Sequence, residues 1–181
     1  DEPAVPALER YKIHNELARM HSDAGHLSLA RLHIEEAVRL LPETTSADIQ
    51  VRILQNRARI ALTRYELGLE RSNEALDSAF AWIREARLLA APLGDESAKL
   101  ALDLYAAVGA RLAGDGRRAR KQLLSTLASA QRIGIPHREA EALVQLAIID
   151  ADDAERARKL LVRAAEICVN HGLMDGAFHA Y

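Results

Sequence analysis

Two apolar stripes at helical spacing, separated by a single glycine, lie between Tyr11 and Pro42, and they constrain the fold of this chain more than any other feature. Ile13, Leu17 and Met20 form the first stripe; Ala30, Ile34, Ala37 and Leu41 form the second. Apolar residues recurring every three or four positions line one face of an α-helix. Gly25 interrupts the pattern and Pro42 ends it, so the segment reads as two helices folded back on each other. Ala18 and Ala30 matter for their size, because a methyl group at a crossing lets two antiparallel helices approach closely. The same device returns along the chain. Ala79, Ile83 and Ala86 repeat the offsets of Ala30, Ile34 and Ala37, while Gly114 and Ala119 keep the five-residue offset of Gly25 and Ala30.

Taken in order, residues 1–7 read as a lead-in with two prolines. A helix then runs from about Leu8 to His21, and its partner from His26 to Pro42. Thr45 with Asp48 three residues on suggests a capping box for a long third helix. Its stripe is Ile49, Ile53, Ile60 and Leu67, widened by Val51, Leu54, Ala58, Ala61 and Tyr65. Ser72 or Asn73 is expected to cap the fourth helix, which carries Leu76, Phe80, Ile83 and Leu88. Further pairs follow Gly94 and Pro136, turning at Gly114–Gly116 and at the acidic run Asp150–Asp153. Residues 173–181 look like the start of another helix.

Leu17, Ala18, Gly25, Ala30, Ala37 and Pro42 sit at the spacings of a tetratricopeptide unit, a helix–turn–helix repeat of about 34 residues. The segment resembles that family. The resemblance implies an all-α fold: a right-handed superhelical array of antiparallel helix pairs, about four helix–turn–helix units long, forming a single α-solenoid domain over residues 1–181. The units fall at about 8–42, 45–92, 95–135 and 136–172. His21 departs from the family, which usually places an aromatic or large residue there, and the later units are longer than 34. Elongated units rich in Ala and Arg also resemble, in texture, the helical sensor domains of large bacterial LuxR-type and antibiotic-regulator proteins.

Composition bounds the rest. The balance of 49% hydrophobic, 28% charged and only 4% aromatic residues suits Ala- and Leu-rich helix packing. A formal net charge of −2 supplies no overall attraction to nucleic acid or to an anionic membrane, so direct contact with either is not expected. No apolar run approaches the ~20 residues of a membrane span. One cysteine, Cys168, excludes an internal disulfide and fits a reducing compartment, which makes a cytoplasmic location the expectation. The ends at Asp1 and Tyr181 suggest a piece of a larger protein.

Signals for chemistry are weak. His14 with His21, and His26 with His33, are each seven apart, ~10 Å along a helix axis, too far for one ion to bridge within a helix. Cys168 and His171 share a face but lack further ligands, and a helical core Cys usually acts as a small hydrophobe. The acidic run from Asp150 to Glu155 lacks the ligand order of a calcium loop. Asp152 or Asp153 capping the next helix explains it better. The GDG turn lacks the Lys and Ser/Thr of a phosphate-binding loop. No catalytic, cofactor or metal residue is assigned.

The functional signal is polar. Lys12, Asn15 and Arg19 share one face of the first helix, and Arg52, Asn56 and Arg59 share one face of the third. The family resemblance implies that first helices of successive units line a concave groove, where these six residues would bind a partner. Guanidinium groups grip carboxylates bidentately and carboxamides bond a peptide backbone, so an extended, acidic protein or peptide segment suits them. Leu104, Val108, Val144 and Ile148 suggest a more apolar continuation toward the C-terminus. The expected function is therefore a non-catalytic scaffold for a protein or peptide. The alternatives are a ligand- or peptide-sensing domain of a larger transcriptional regulator, and a structural module that self-associates in an assembly.

Overall fold

The computed structural model describes residues 6–41 and 45–173. Among these residues the protein is all-α, with eight helices packed mostly as sequential antiparallel pairs. They are α1 (Ala7–Asp23), α2 (Leu27–Arg39), α3 (Ala47–Glu66), α4 (Asn73–Ala90), α5 (Glu96–Leu112), α6 (Gly116–Ile133), α7 (Pro136–Ile149) and α8 (Ala154–Asn170). The chain divides into two compact units, Asp1–Gly94 and Asp95–Tyr181, each holding four helices. No helix among the described residues is long and apolar enough to cross a membrane.

Local chemistry sets the helix ends. Ser72, Asp95, Asp115 and Asp153 each accept a hydrogen bond from the backbone N–H three residues on, which satisfies an otherwise orphaned donor. Pro136 opens α7 at the first helical position, where its missing N–H costs nothing. Gly25 and Gly114 occupy equivalent turns after α1 and α5 with φ of 76° and 85°. That left-handed backbone strains any residue with a Cβ. At α3 the structure differs from expectation. Ser46, not Thr45, precedes the helix, its side chain makes no capping bond, and the Gln50 amide donates instead to the Thr45 carbonyl at 2.7 Å. Pro42, the expected stop for α2, lies outside the described residues.

In the N-terminal unit the core gathers Tyr11, Ala18, Ala30, Ile34, Ala37, Ile53 and Ile60. Ala18, Ala30 and Ala37 have no exposed surface, so α1 and α2 meet through methyl groups. Ala30, Ile34 and Ala37 of the second stripe are buried as expected and Leu41, past the end of α2, is half-buried, but the α1 stripe turns outward. Ile13 is 53% exposed and Met20 57%, while Tyr11, Asn15 and Ala18 take the inner face. These two sets lie about 200° apart around the helix at 3.6 residues per turn. The small Ala18 is what permits close contact, and its face therefore turns inward.

In the C-terminal unit one cluster joins Leu104, Ala107, Leu123, Ala142 and Leu146, and a second joins Ala140, Leu143, Ala164 and Cys168. Leu104 and Val108 are buried, whereas Val144 and Ile148 are half-buried. Leu161 of α8, by contrast, is 46% exposed. The acidic run after α7 does two jobs. Asp153 caps α8, and Asp150 forms ion pairs with Arg120 of α6 and, at 2.9 Å, with Arg156 of α8. The helix start expected over residues 173–181 lies, past Leu173, outside the described residues.

Candidate functional site

The six polar residues singled out in the sequence come from α1 and α3, and the fold of the N-terminal unit brings them side by side. Asn56 donates to the Asn15 side-chain oxygen at 2.8 Å, and Arg59 donates to Asp23 at 2.6 Å. Near the start of α1, Lys12 and the α3 residue Arg52 both act on the buried Tyr11 phenol. Burial raises the pKa of that phenol, and the two cations partly oppose the rise. The pairings of residues 11, 15 and 23 with 52, 56 and 59 ascend together, so α1 and α3 run in the same direction.

Each cation on this strip meets an acid that sequence reasoning missed. Lys12 binds Glu9 at 2.8 Å, and Arg19 binds Glu16 and Asp23, both at 3.0 Å. Arg52 lies 3.8 Å from Asp48, a long pairing, and its side chain is 65% exposed. The hydrogen bond to Glu16 is the main reason the Arg19 guanidinium holds its proton more firmly than usual. Asp48 ionises more easily than an ordinary aspartate, first through the Ser46 hydroxyl and only last through Arg52. Lys12, Arg19 and Arg52 are exposed, Asn56 and Arg59 are half-buried, and Asn15 is buried. The strip is thus charge-balanced, with its carboxamide pair turned inward. The signal was in the sequence: Glu9, Glu16 and Asp48 stand three or four positions before Lys12, Arg19 and Arg52, the spacing of helical ion pairs.

On another face of the same unit, α2, α3 and the start of α4 enclose a cleft of about 220 Å3. The Arg57 guanidinium carbon lies over the Trp82 ring, 4.1 Å from its centroid. Its Nη2 reaches both Glu35 oxygens only at 3.4 Å, and its Nε is buried without a hydrogen-bond partner. Arg31 and Arg64 share Glu70 at 3.6 and 3.3 Å. Charge-assisted bonds are normally 2.7–2.9 Å, so these guanidinium groups are loosely held. Trp82 is half-buried beneath Arg57.

Histidines form a third cluster. The hairpin brings His14 of α1 against His33 of α2, with their Nδ1 atoms 3.0 Å apart. The His21 ring lies nearly parallel to that of His33, at 5.3 Å and 5°, and His26 follows at 5.8 Å from His21. Burial, then the neighbouring His14 and His21, make His33 harder to protonate than a free imidazole. Spacing within one helix did not reveal this cluster, because the contacts cross the hairpin. Among the described residues no three or more His, Cys, Asp or Glu side chains converge as a metal site.

No protein-family model matches the chain, and no curated protein matches it.

Proposed function

We propose that this chain is a non-catalytic binding module that holds a segment of a partner protein along the α1 and α3 face of its N-terminal unit. The helix pairs are read as consecutive turns of a right-handed superhelical array of the tetratricopeptide kind. The observation that carries the reading is the Asn56–Asn15 hydrogen bond, which registers α1 beside α3 and aligns Lys12, Arg19, Arg52 and Arg59 on one strip. Asn15 acts as a positioning residue, while Lys12, Arg19, Arg52 and the outer edge of Asn56 meet the partner. Because Glu9, Glu16 and Asp48 accompany the cations, the fitting partner is a segment carrying both charges rather than a purely acidic one. Surface ion pairs contribute about 0–1 kcal/mol each, so exchanging them for partner contacts costs little.

The test is selection of linear peptides from a random displayed library against the protein. Enriched peptides should bind the Lys12→Ala, Arg52→Ala double variant at least about tenfold more weakly, a difference of ~1.4 kcal/mol. Failure to enrich any peptide, or enrichment of peptides indifferent to both substitutions, contradicts the proposal.

The cleft favours a second reading, a ligand-sensing domain of a larger regulator. Its buried Arg57 Nε suits a carboxylate or phosphate group. Trp82 is the single tryptophan, so its fluorescence reports directly on this cleft. Small carboxylates and phosphates should shift that emission in the native protein, and a flat response across them argues against the reading.

A further inference from the structure

The His14–His33 contact has the bite of a metal chelate. The two Nδ1 atoms stand 3.0 Å apart, with the rings tilted by 40° at 5.2 Å. With metal–nitrogen bonds of about 2.0–2.1 Å, that separation subtends about 91–97° at an ion, whereas a tetrahedral angle would need about 3.35 Å. An angle near 90° is the cis angle of tetragonal ions with nitrogen and oxygen ligands, copper(II) and nickel(II) above all. Both imidazoles are half-buried, so solvent reaches the site and water can occupy the remaining positions.

We propose that His14 and His33 chelate one divalent tetragonal ion, copper(II) most tightly, across the α1–α2 hairpin. The hairpin arranges the pair in advance. Ala18, Ala30 and Ala37 set the close approach of the helices, and the Gly25 turn keeps the connection short. The parallel His21 ring lies against His33 and fixes its plane. Among the described residues no third protein ligand converges, so the site is a two-imidazole chelate completed by water, of modest affinity. Glu36, one turn beyond His33, adds negative charge that acts on His14, although Arg39 and Arg10 already hold its carboxylate. An N–H···N hydrogen bond between neutral rings uses the same geometry and is the competing explanation.

Copper(II) titrated into the metal-free protein at about pH 7.5, where imidazole is neutral, should give one equivalent with an equatorial two-nitrogen electron paramagnetic resonance signature. His14→Gln and His33→Gln should each weaken binding at least about tenfold, while His137→Gln on α7 leaves it unchanged. In the unaltered protein, paramagnetic broadening of amide signals should centre on residues 14 and 33. Broadening centred elsewhere, or affinities in both Gln variants within about threefold of the parent, overturns the proposal and leaves a hydrogen-bonded pair only.

Discussion

Asn56 of α3 donates to Asn15 of α1 across 2.8 Å at a point where Asn15 is only 7% exposed. The buried Asn15 amide finds its partner in the half-buried Asn56, so the bond fixes the register of the two helices. Removing one partner exposes the asymmetry of buried polar groups. Asn56→Ala strands the Asn15 oxygen and should destabilise the protein by ~1–3 kcal/mol, read by urea denaturation. A cost below ~0.5 kcal/mol would show that water replaces the bond.

Arg52 and Arg59 share a helix face but should differ in mutation. Arg59 is half-buried against Asp23 at 2.6 Å, whereas the Arg52 side chain is 65% exposed and 3.8 Å from Asp48. Arg52→Ala should change stability by less than ~0.5 kcal/mol. Arg59→Ala should cost more, ~1–2 kcal/mol, because a partly buried charged hydrogen bond is lost while Arg19 still holds Asp23. Equal effects in chemical denaturation would place both arginines in the same environment.

Ala30 sits at the crossing of α1 and α2 with no exposed surface, packed among Tyr11, Ala18 and Ile34. The larger side chain in Ala30→Leu has no room, and overpacking of this kind costs ~1–3 kcal/mol. Calorimetry should show a lower melting temperature; an unchanged one would contradict the crossing.

Cys168 is 1% exposed within the core of the C-terminal unit, and burial raises its thiol pKa. The thiolate is the reactive form. Labelling by a maleimide should therefore be slow in the native state at neutral pH and fast in denaturant. Raising pH should accelerate native labelling only at values above those needed for a free thiol. Rapid native labelling would place the sulfur at the surface.

Helix existence and pairing were legible in the sequence because they depend on local periodicity and on punctuation such as Gly25, Ser72 and Pro136. The buried face of α1 was not. Ile13, Leu17 and Met20 are the more hydrophobic set, yet the helix turns Tyr11, Asn15 and Ala18 inward, because close helix packing selects size over hydrophobicity. For the same reason the Asn15 carboxamide, expected on an open groove, points into the α1–α3 contact. The strip residues were found by type and spacing, but their acidic partners were passed over. Asp23 pairs locally with Arg19, and it gains its second partner when α3 brings Arg59 to the end of α1. The His14–His33 and Arg57–Trp82 contacts span 19 and 25 residues of sequence and carry no local pattern at all.

The most direct test of the binding strip is nuclear magnetic resonance mapping of the labelled protein with a peptide selected from the displayed library. We expect the largest amide shifts on α1 and α3 around Lys12, Arg19, Arg52 and Asn56, weakened by added salt because exposed charge contacts are screened. Shifts confined to the Arg57–Trp82 cleft or to the C-terminal unit, with α1 and α3 unmoved, would contradict the assignment of this face.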